Sequence, residues 1–282
     1  MLRPAAPLSS LALLALAASS AACGQGPLGA YLDVAFERSG DPTYAVTLAS
    51  AVVIDADKAP AWMGLDRAGI SAVAAPAVDA ALEVCRVETG VASDVAVLRL
   101  MDPGPAYLGG PAGEQALTAT APAFGEGTGY TARFESGEID YQPGGGYQLR
   151  TDGMEAPPFS VNLIAPAEFS METLGFVTPG PGTAVLPSTT DLDLTWAPAS
   201  TDPEDELFVV LSAAESRVVC RAKDDGAFTI KAKYLEELPL GAATLMIERS
   251  RLVKLDVGTS SAGKIPARGR IALRHRFAAE LQ

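Results

Sequence analysis

A single histidine, three cysteines and one acidic cluster are the residues whose types and spacing allow chemistry. A Ser-His-Asp relay would have to run through His275, and no Gly-x-Ser-x-Gly elbow accompanies it. His275 therefore reads as a packed strand histidine. One histidine and thiols in separate segments are too few for a zinc site. Asp202, Glu204, Asp205 and Glu206 offer the oxygen ligands that calcium prefers. Their spacing does not match a calcium loop and Pro203 interrupts it, so the cluster reads as a solvated acidic turn. The glycine-rich run from residue 125 to 129 lacks the lysine and following helix of a phosphate loop. A carboxylate pair for glycoside hydrolysis would have to be assembled by the fold, and the sequence singles none out. The chain reads as non-catalytic, with no metal and no cofactor assigned.

The cysteines carry more information. Arg3, then the apolar run LALLALAA from Leu11 to Ala18, then Ser20-Ala21-Ala22 before Cys23, form an export signal. The apolar run is too short to span a bilayer. Small residues in front of a cysteine resemble a bacterial lipobox, which makes residues 1–22 a signal peptide and Cys23 the lipid attachment site. Such an anchor joins the protein to a membrane by palmitate-type acyl chains, and two or more chains hold stably where one would not. The plainer alternative, a secretory signal cut at the same bond, leaves an odd thiol. Cys85 and Cys220 can pair across the chain or remain two buried thiols; their place in apolar strands of different halves favours the thiols.

The elements that position these residues read as strands. Leu192, Leu194 and Trp196 alternate with Asp193 and Thr195, a period of two that puts the apolar set on one face. ELFVVLS, RVVCR, AFTIK and ATLMIER follow, separated by Asp-Pro, Asp-Asp-Gly and Leu-Pro-Leu-Gly turn chemistry. In the first half, AYLDVAFE, residues 44–55, LEVCRV, VAVLRL and three short segments at 130–134, 138–141 and 147–150 read likewise. The glycines from 144 to 146 read as the hairpin between the last two. The stretch from residue 66 to 83 is alanine-rich, but Pro76 limits it to a short helix. The 27 glycines and 21 prolines fit many turns between short strands. The expected fold is all-β: two β-sandwich-like domains after an N-terminal signal peptide. GMEAPP, from Gly153 to Pro158, reads as the linker between them. The expected organisation is a signal at 1–22, a tether at 23–29, an N-terminal β domain at 30–156 and a C-terminal β-sandwich at 157–282.

Two surface features are candidates for binding. Trp62 sits in a loop-like APAWMG context, where an exposed aromatic would serve a sugar or a protein partner; an aromatic folded onto the core is the plainer reading. The last strand carries Arg270, Arg274 and Arg276 on one side and Ile271, Leu273, His275 and Phe277 on the other. It reads as an edge strand with a solvated cationic face, or as a strip for an anionic partner. The net charge of −13 argues against nucleic acid.

LDLTWAP, ELFVVLS and YLEELPLGAATLMIER together resemble a fibronectin type III or related immunoglobulin-like sandwich. In that family a tryptophan strand ends in proline, a second strand packs beside it, and a leucine-proline-glycine turn enters a late strand. The mature chain is also similar to surface lipoproteins of myxobacteria. LEVCRVE, LMDPGPAYLGGPAGEQAL, YQPGGGYQLRTDG, EAPPFSVNLIAP, LTWAP, VVCRAKDDGAFTI and YLEELPLG carry that likeness. It implies an exported, two-part β protein held at the cell envelope, most simply the outer membrane, and brings no catalytic residue. Two functions fit: a structural or protein-interaction module, and a carbohydrate or small-ligand binding module using Trp62. Its partner would be an envelope protein or glycan.

Overall fold

The computed structural model describes residues 28–39, 45–55, 81–89, 100–121, 127–135, 138–260 and 263–282. The expected signal peptide, Cys23, Trp62 and most of the alanine-rich stretch lie outside the described residues. The protein is all-β. In chain order the strands are β1 (Leu28–Ser39), β2 (Ala45–Asp55), β3 (Val84–Thr89), β4 (Leu100–Met101), β5 (Ala106–Gly110) and β6 (Gly113–Ala116). Then come β7 (Thr118–Thr120), β8 (Gly129–Glu135), β9 (Gly146–Thr151), β10 (Phe159–Ile164), β11 (Ser170–Leu174) and β12 (Ala184–Leu186). The set closes with β13 (Leu192–Ala197), β14 (Glu206–Ala213), β15 (Ser216–Ala222), β16 (Ala227–Ile230), β17 (Gly241–Ser260) and β18 (Gly263–Leu281). A single helical turn, α1 (Ala232–Leu235), stands before the Leu-Pro-Leu-Gly segment that reads as a turn.

The alternation seen in the sequence decides the inner faces. Leu192, Leu194 and Trp196 are buried on β13, while Asp193 points out. β11, β13 and β16 form one sheet, and β15, β14, β17 and β18 run side by side in a second. Leaving aside β10, which joins a third sheet, and short β12, the first, second and fifth of the remaining strands of this half share one sheet and the third, fourth, sixth and seventh share the other. That is a sandwich-like distribution over two sheets, with Trp196 on the second of these strands. β12 adds to β18 in parallel.

Strand pairing crosses the expected division into residues 30–156 and 157–282. β18 is not an edge strand: it lies between β17 and β1 and pairs in parallel with β1, Ala30 opposite Ala267 and Ser39 opposite Arg276. The large sheet then continues through β2, β8 and β7, so it takes strands from both sides of the expected boundary. One contiguous hydrophobic core holds Leu32 and Phe36 of the first half together with Leu245 and Phe277 of the second. The expected linker is the loop of a hairpin, since β9 and β10 on either side of it are antiparallel partners, Thr151 opposite Phe159. Its backbone is fastened: the N–H groups of Asp152, Gly153, Glu155 and Ala156 donate to carbonyls of Pro105, Pro103 and Asp102 at 2.9–3.0 Å. Turn-forming residues mark a reversal here, and a reversal is also what a linker requires, so composition does not separate the two.

A third sheet, β10-β9-β5-β6, belongs to neither half alone and packs over the long β17–β18 hairpin. The contact is close at Gly269 on β18, where an added Cβ would lie 2.8 Å from Val161 Cγ1 and 2.9 Å from Leu163 Cδ2. Gly269→Ala is expected to cost about 1–3 kcal/mol through overpacking. A drop in urea midpoint measures it, and a neutral substitution would show that the sheet yields at this contact.

The segment expected as a strand at 138–141 is a turn. Its backbone partners are side chains: Thr47 Oγ1 donates to the Ile139 carbonyl at 2.9 Å, and the Tyr147 hydroxyl bridges the Asp140 carbonyl and Gln142 N–H. These groups supply what a neighbouring strand would otherwise give. The glycines at 144–146 therefore do not close a hairpin; Gly144 N–H and Gly145 C=O bond Ala165 instead.

Candidate functional site

Where the sequence shows a cationic strip, the structure shows a buried ion-pair ladder. Parallel pairing sets Asp33 opposite Arg270 and Glu37 opposite Arg274, and antiparallel pairing sets Glu248 of β17 opposite Arg274. Arg270 holds Asp33 in a fork, Nε to Oδ1 at 3.0 Å and Nη2 to Oδ2 at 2.7 Å. Its Nη1 donates to Glu248 Oε1 at 3.0 Å, and Arg274 Nε donates to the other oxygen of Glu248. Arg276 pairs with Glu37 at 3.0 Å. Asp33, Glu248, Arg270 and Arg274 are all buried. Of the expected anionic-partner strip, Arg270 and Arg274 pair with carboxylates of this chain beneath the surface. Arg276 is partly exposed and already has Glu37. The missed residues are the acids. Asp33 and Glu37 lie far from the basic run in sequence, and a local charge pattern does not show that a distant strand carries its counterions.

Another buried arginine ties together segments of the C-terminal half. Arg249 is fully buried and grips Asp224 with Nε at 2.6 Å and Nη2 at 2.8 Å. It also donates to the carbonyls of Ala167, Glu168 and Pro198, and its guanidinium lies over the Phe169 ring. Trp196 Nε1 donates to the same Asp224 at 2.7 Å. Asp224, Pro198 and the segment 167–169 thus meet at one planar group, the fork geometry that lysine lacks.

The acidic turn that reads as solvated is tied into the fold. Asp205 and Asp202 each accept a hydrogen bond from Arg251 at 2.5 Å, and Glu206 accepts one from Arg221 at 2.7 Å. Among the described residues no group of three or more His, Cys, Asp or Glu side chains is arranged to hold a metal ion.

His275 is buried, with Nε2 2.9 Å from the Phe169 carbonyl and its ring edge-on to Phe169. Burial pushes the imidazole down to about 4 from an ordinary 6.5, despite that carbonyl. Between those values the unfolded histidine binds a proton that the folded one refuses. Stability is therefore present above pH 6.5 and falls as pH drops toward 4. The loss attributable to this group is about 3 kcal/mol. His275→Gln is expected to flatten that part of the pH–stability curve, read as urea midpoints across the window. An unchanged slope would refute the assignment.

Cys85 and Cys220 form a disulfide, Cα atoms 4.0 Å apart, which corrects the reading as two thiols. The bridge fixes β3 to β15, helped by Glu83 N–H donating to the Arg221 carbonyl at 2.8 Å and an Arg217–Glu88 ion pair at 2.6 Å. A cleft of about 450 Å³ opens beside it, lined by Glu83, Cys85, Phe228, Lys231 and Tyr234. A second, of about 400 Å³, lies among Glu37, Arg38, Asp140 and Tyr141. Among the described residues no helix is long and apolar enough to cross a membrane.

No family model matches the chain, and no curated protein matches it. Among solved structures, the yeast delta-COP-I mu-homology domain aligns with 91% of this chain and 98% of its own at 10% identity. Its TM-score of 0.23 carries no argument about fold or function.

Proposed function

We propose that this protein is a non-catalytic lipoprotein of the cell envelope, anchored through Cys23 and acting as a structural or protein-interaction module. The observation that carries the reading is the pairing of Cys85 with Cys220. The chain has three cysteines, so the bridge leaves Cys23 as the single remaining thiol, at the cleavage position of an export signal. A stable disulfide also favours an oxidising compartment outside the cytoplasm. The ionisable groups that could serve catalysis support a structural role. Asp33, Glu248, Arg270 and Arg274 compensate one another inside the sheet, and His275 is held neutral against Phe169. Exposed apolar residues on turns, Phe176 at 98% and Leu240 at 69% exposure, offer contacts to an envelope partner.

The test is the intact mass of the protein purified from membranes of its native host. A species beginning at Cys23 and carrying a diacylglyceryl group is the expected result. A mature chain with an unmodified Cys23, or with a different first residue, would overturn the anchor.

A further inference from the structure

The outer strand of a sheet carries backbone N–H and C=O groups that no neighbour uses, and proteins guard such edges with charge, bulges, shortness or a covering segment. Among the described residues the outer strands of the three sheets show those guards in every case but one. β7 has three residues. β16 has four and runs into Lys231. β6 has four and carries Glu114. β11 carries Glu172 at a register shift between Met171 and Thr173. β15 carries Arg217 and Arg221, and β3 is fastened beside it by the disulfide and the Leu82–Arg221 bridge. β10 has six residues, FSVNLI, with no charge, no proline and an unbroken register.

The phase of its unused edge is fixed. Ala165 N–H donates to Gly145 on the β9 side, and on the far side of β9 Asp152 N–H donates to Pro105. Backbone groups point to alternate sides along a strand. The odd-numbered residues of β10 therefore bond β9, and Ser160, Asn162 and Ile164 turn their N–H and C=O groups outward. Among the described residues these outward groups meet no hydrogen-bond partner. The strand is nevertheless held in place, because Val161 and Leu163 are buried against Gly269 of β18. Pairing would thus order little that is not ordered already.

The occupant follows from the spacing. A twofold axis through Asn162 sets Ser160 of one copy opposite Ile164 of the other, and Asn162 opposite itself. That antiparallel register engages every outward group, and each pair exchanges two backbone bonds. At the centre two amides meet, and an amide both donates and accepts. Asn162 Oδ1 already takes a hydrogen bond from Gln148 Nε2 at 3.2 Å, which leaves the Asn162 amide N–H groups for the second copy. No charge on β10 opposes its like, although each copy carries −13 overall. Ile164, exposed to 46%, gains cover from the strand laid beside it.

We propose that β10 is a dimerisation edge: two copies of this chain pair it antiparallel about Asn162 and join their β10-β9-β5-β6 sheets into one. This gives the interaction module a partner and does not depend on the anchor at Cys23. A strand of six residues is about 20 Å long, and pairing along it falls short of the ~800 Å² per partner of a stable dimer. The dimer is therefore reversible. It is tighter in salt, which screens the repulsion between two acidic copies.

The test is sedimentation of the processed protein, purified from its host in detergent, over a concentration series, with amide hydrogen exchange read on the same samples. The expected result is a monomer–dimer equilibrium that tightens with salt. The amides of Ser160, Asn162 and Ile164 should exchange freely in the monomer and slow as the dimer fills. Asn162→Lys and Asn162→Asp each set like charges opposite one another and should weaken association about fivefold. Their equimolar mixture should restore it, because lysine then meets aspartate. Association that ignores both substitutions, or that leaves the three amides unprotected, would overturn pairing through β10; shared micelles and contacts elsewhere on the surface give that result. A chain that stays monomeric into the millimolar range would overturn self-pairing and leave the edge to a strand of another protein. The intact mass reports the anchor separately, so an unmodified Cys23 would bring down the anchor and leave the pairing standing.

Discussion

Glu248→Ala is expected to lower the unfolding free energy by about 3–5 kcal/mol. Glu248 is fully buried between two arginines and uses one oxygen for Arg270 and the other for Arg274. Removing it leaves cationic groups in the interior facing a gap. Arg270 keeps its fork on Asp33, whereas Arg274 loses the carboxylate that its Nε addresses. The cost is the desolvation of a buried charge that has lost its Glu248 partner, which is larger than the net worth of the intact pair. The comparison that isolates this term replaces the whole group, as Asp33→Leu, Arg270→Met, Glu248→Met and Arg274→Met together. Four apolar side chains of similar length remove the charges of this group and leave Glu37 with Arg276, and the set is expected to lose far less than the single alanine. Urea denaturation with an unchanged slope gives both values. If Glu248→Ala costs under about 1 kcal/mol, water reaches the ladder and the ion pairs behave as surface pairs do.

The ladder also shows where sequence reasoning stops. A period of two is a local property, so Leu192, Leu194 and Trp196, or Phe228 and Ile230, declare their buried face without any knowledge of partners. Pairing is not local. The basic residues of β18 look like an exposed face because their acids lie on β1 and β17, and only the parallel β1–β18 register brings Asp33 to Arg270. The same ignorance of pairing produced a boundary inside the β9–β10 hairpin. Glycine and proline at 153–158 specify a change of direction, and the strands on either side happen to meet again. Short polar strands such as β6, all four of whose residues are exposed, leave almost no apolar signature. The length of the β17–β18 hairpin was equally hidden, because RLVKLDVGTS beyond Arg249 has no clean alternation. The cysteines show a further limit: burial in apolar strands is common to free thiols and to bridges, and only spatial adjacency separates them.

Loss of that bridge is the other large effect expected. Cys85 and Cys220 are 135 residues apart, and cross-linking so long a loop removes denatured-state entropy worth about 5 kcal/mol in the chain-entropy model. The native contribution points the same way. β3 buries only Cys85 among its six residues, so apolar packing does little to hold it. Partly buried Val87 packs on the core, and the remaining attachments are polar: the Glu83–Arg221 backbone bond, the bond from Lys223 N–H to the Glu83 carboxylate, and the Arg217–Glu88 pair. Those bonds exchange with water at a net worth of about 1 kcal/mol each, so they preserve the position of β3 without replacing the bridge. The Cys85→Ala/Cys220→Ala chain is therefore expected to fold with β3 in place and to unfold at a much lower urea concentration. Adding a dithiol reductant to the unsubstituted protein should move its midpoint toward the same value and leave the alanine variant unmoved. A midpoint that ignores both reductant and substitution would mean that the reduced, unfolded chain already keeps these segments together, because a cross-link stabilises only to the extent that the unfolded state would otherwise separate them.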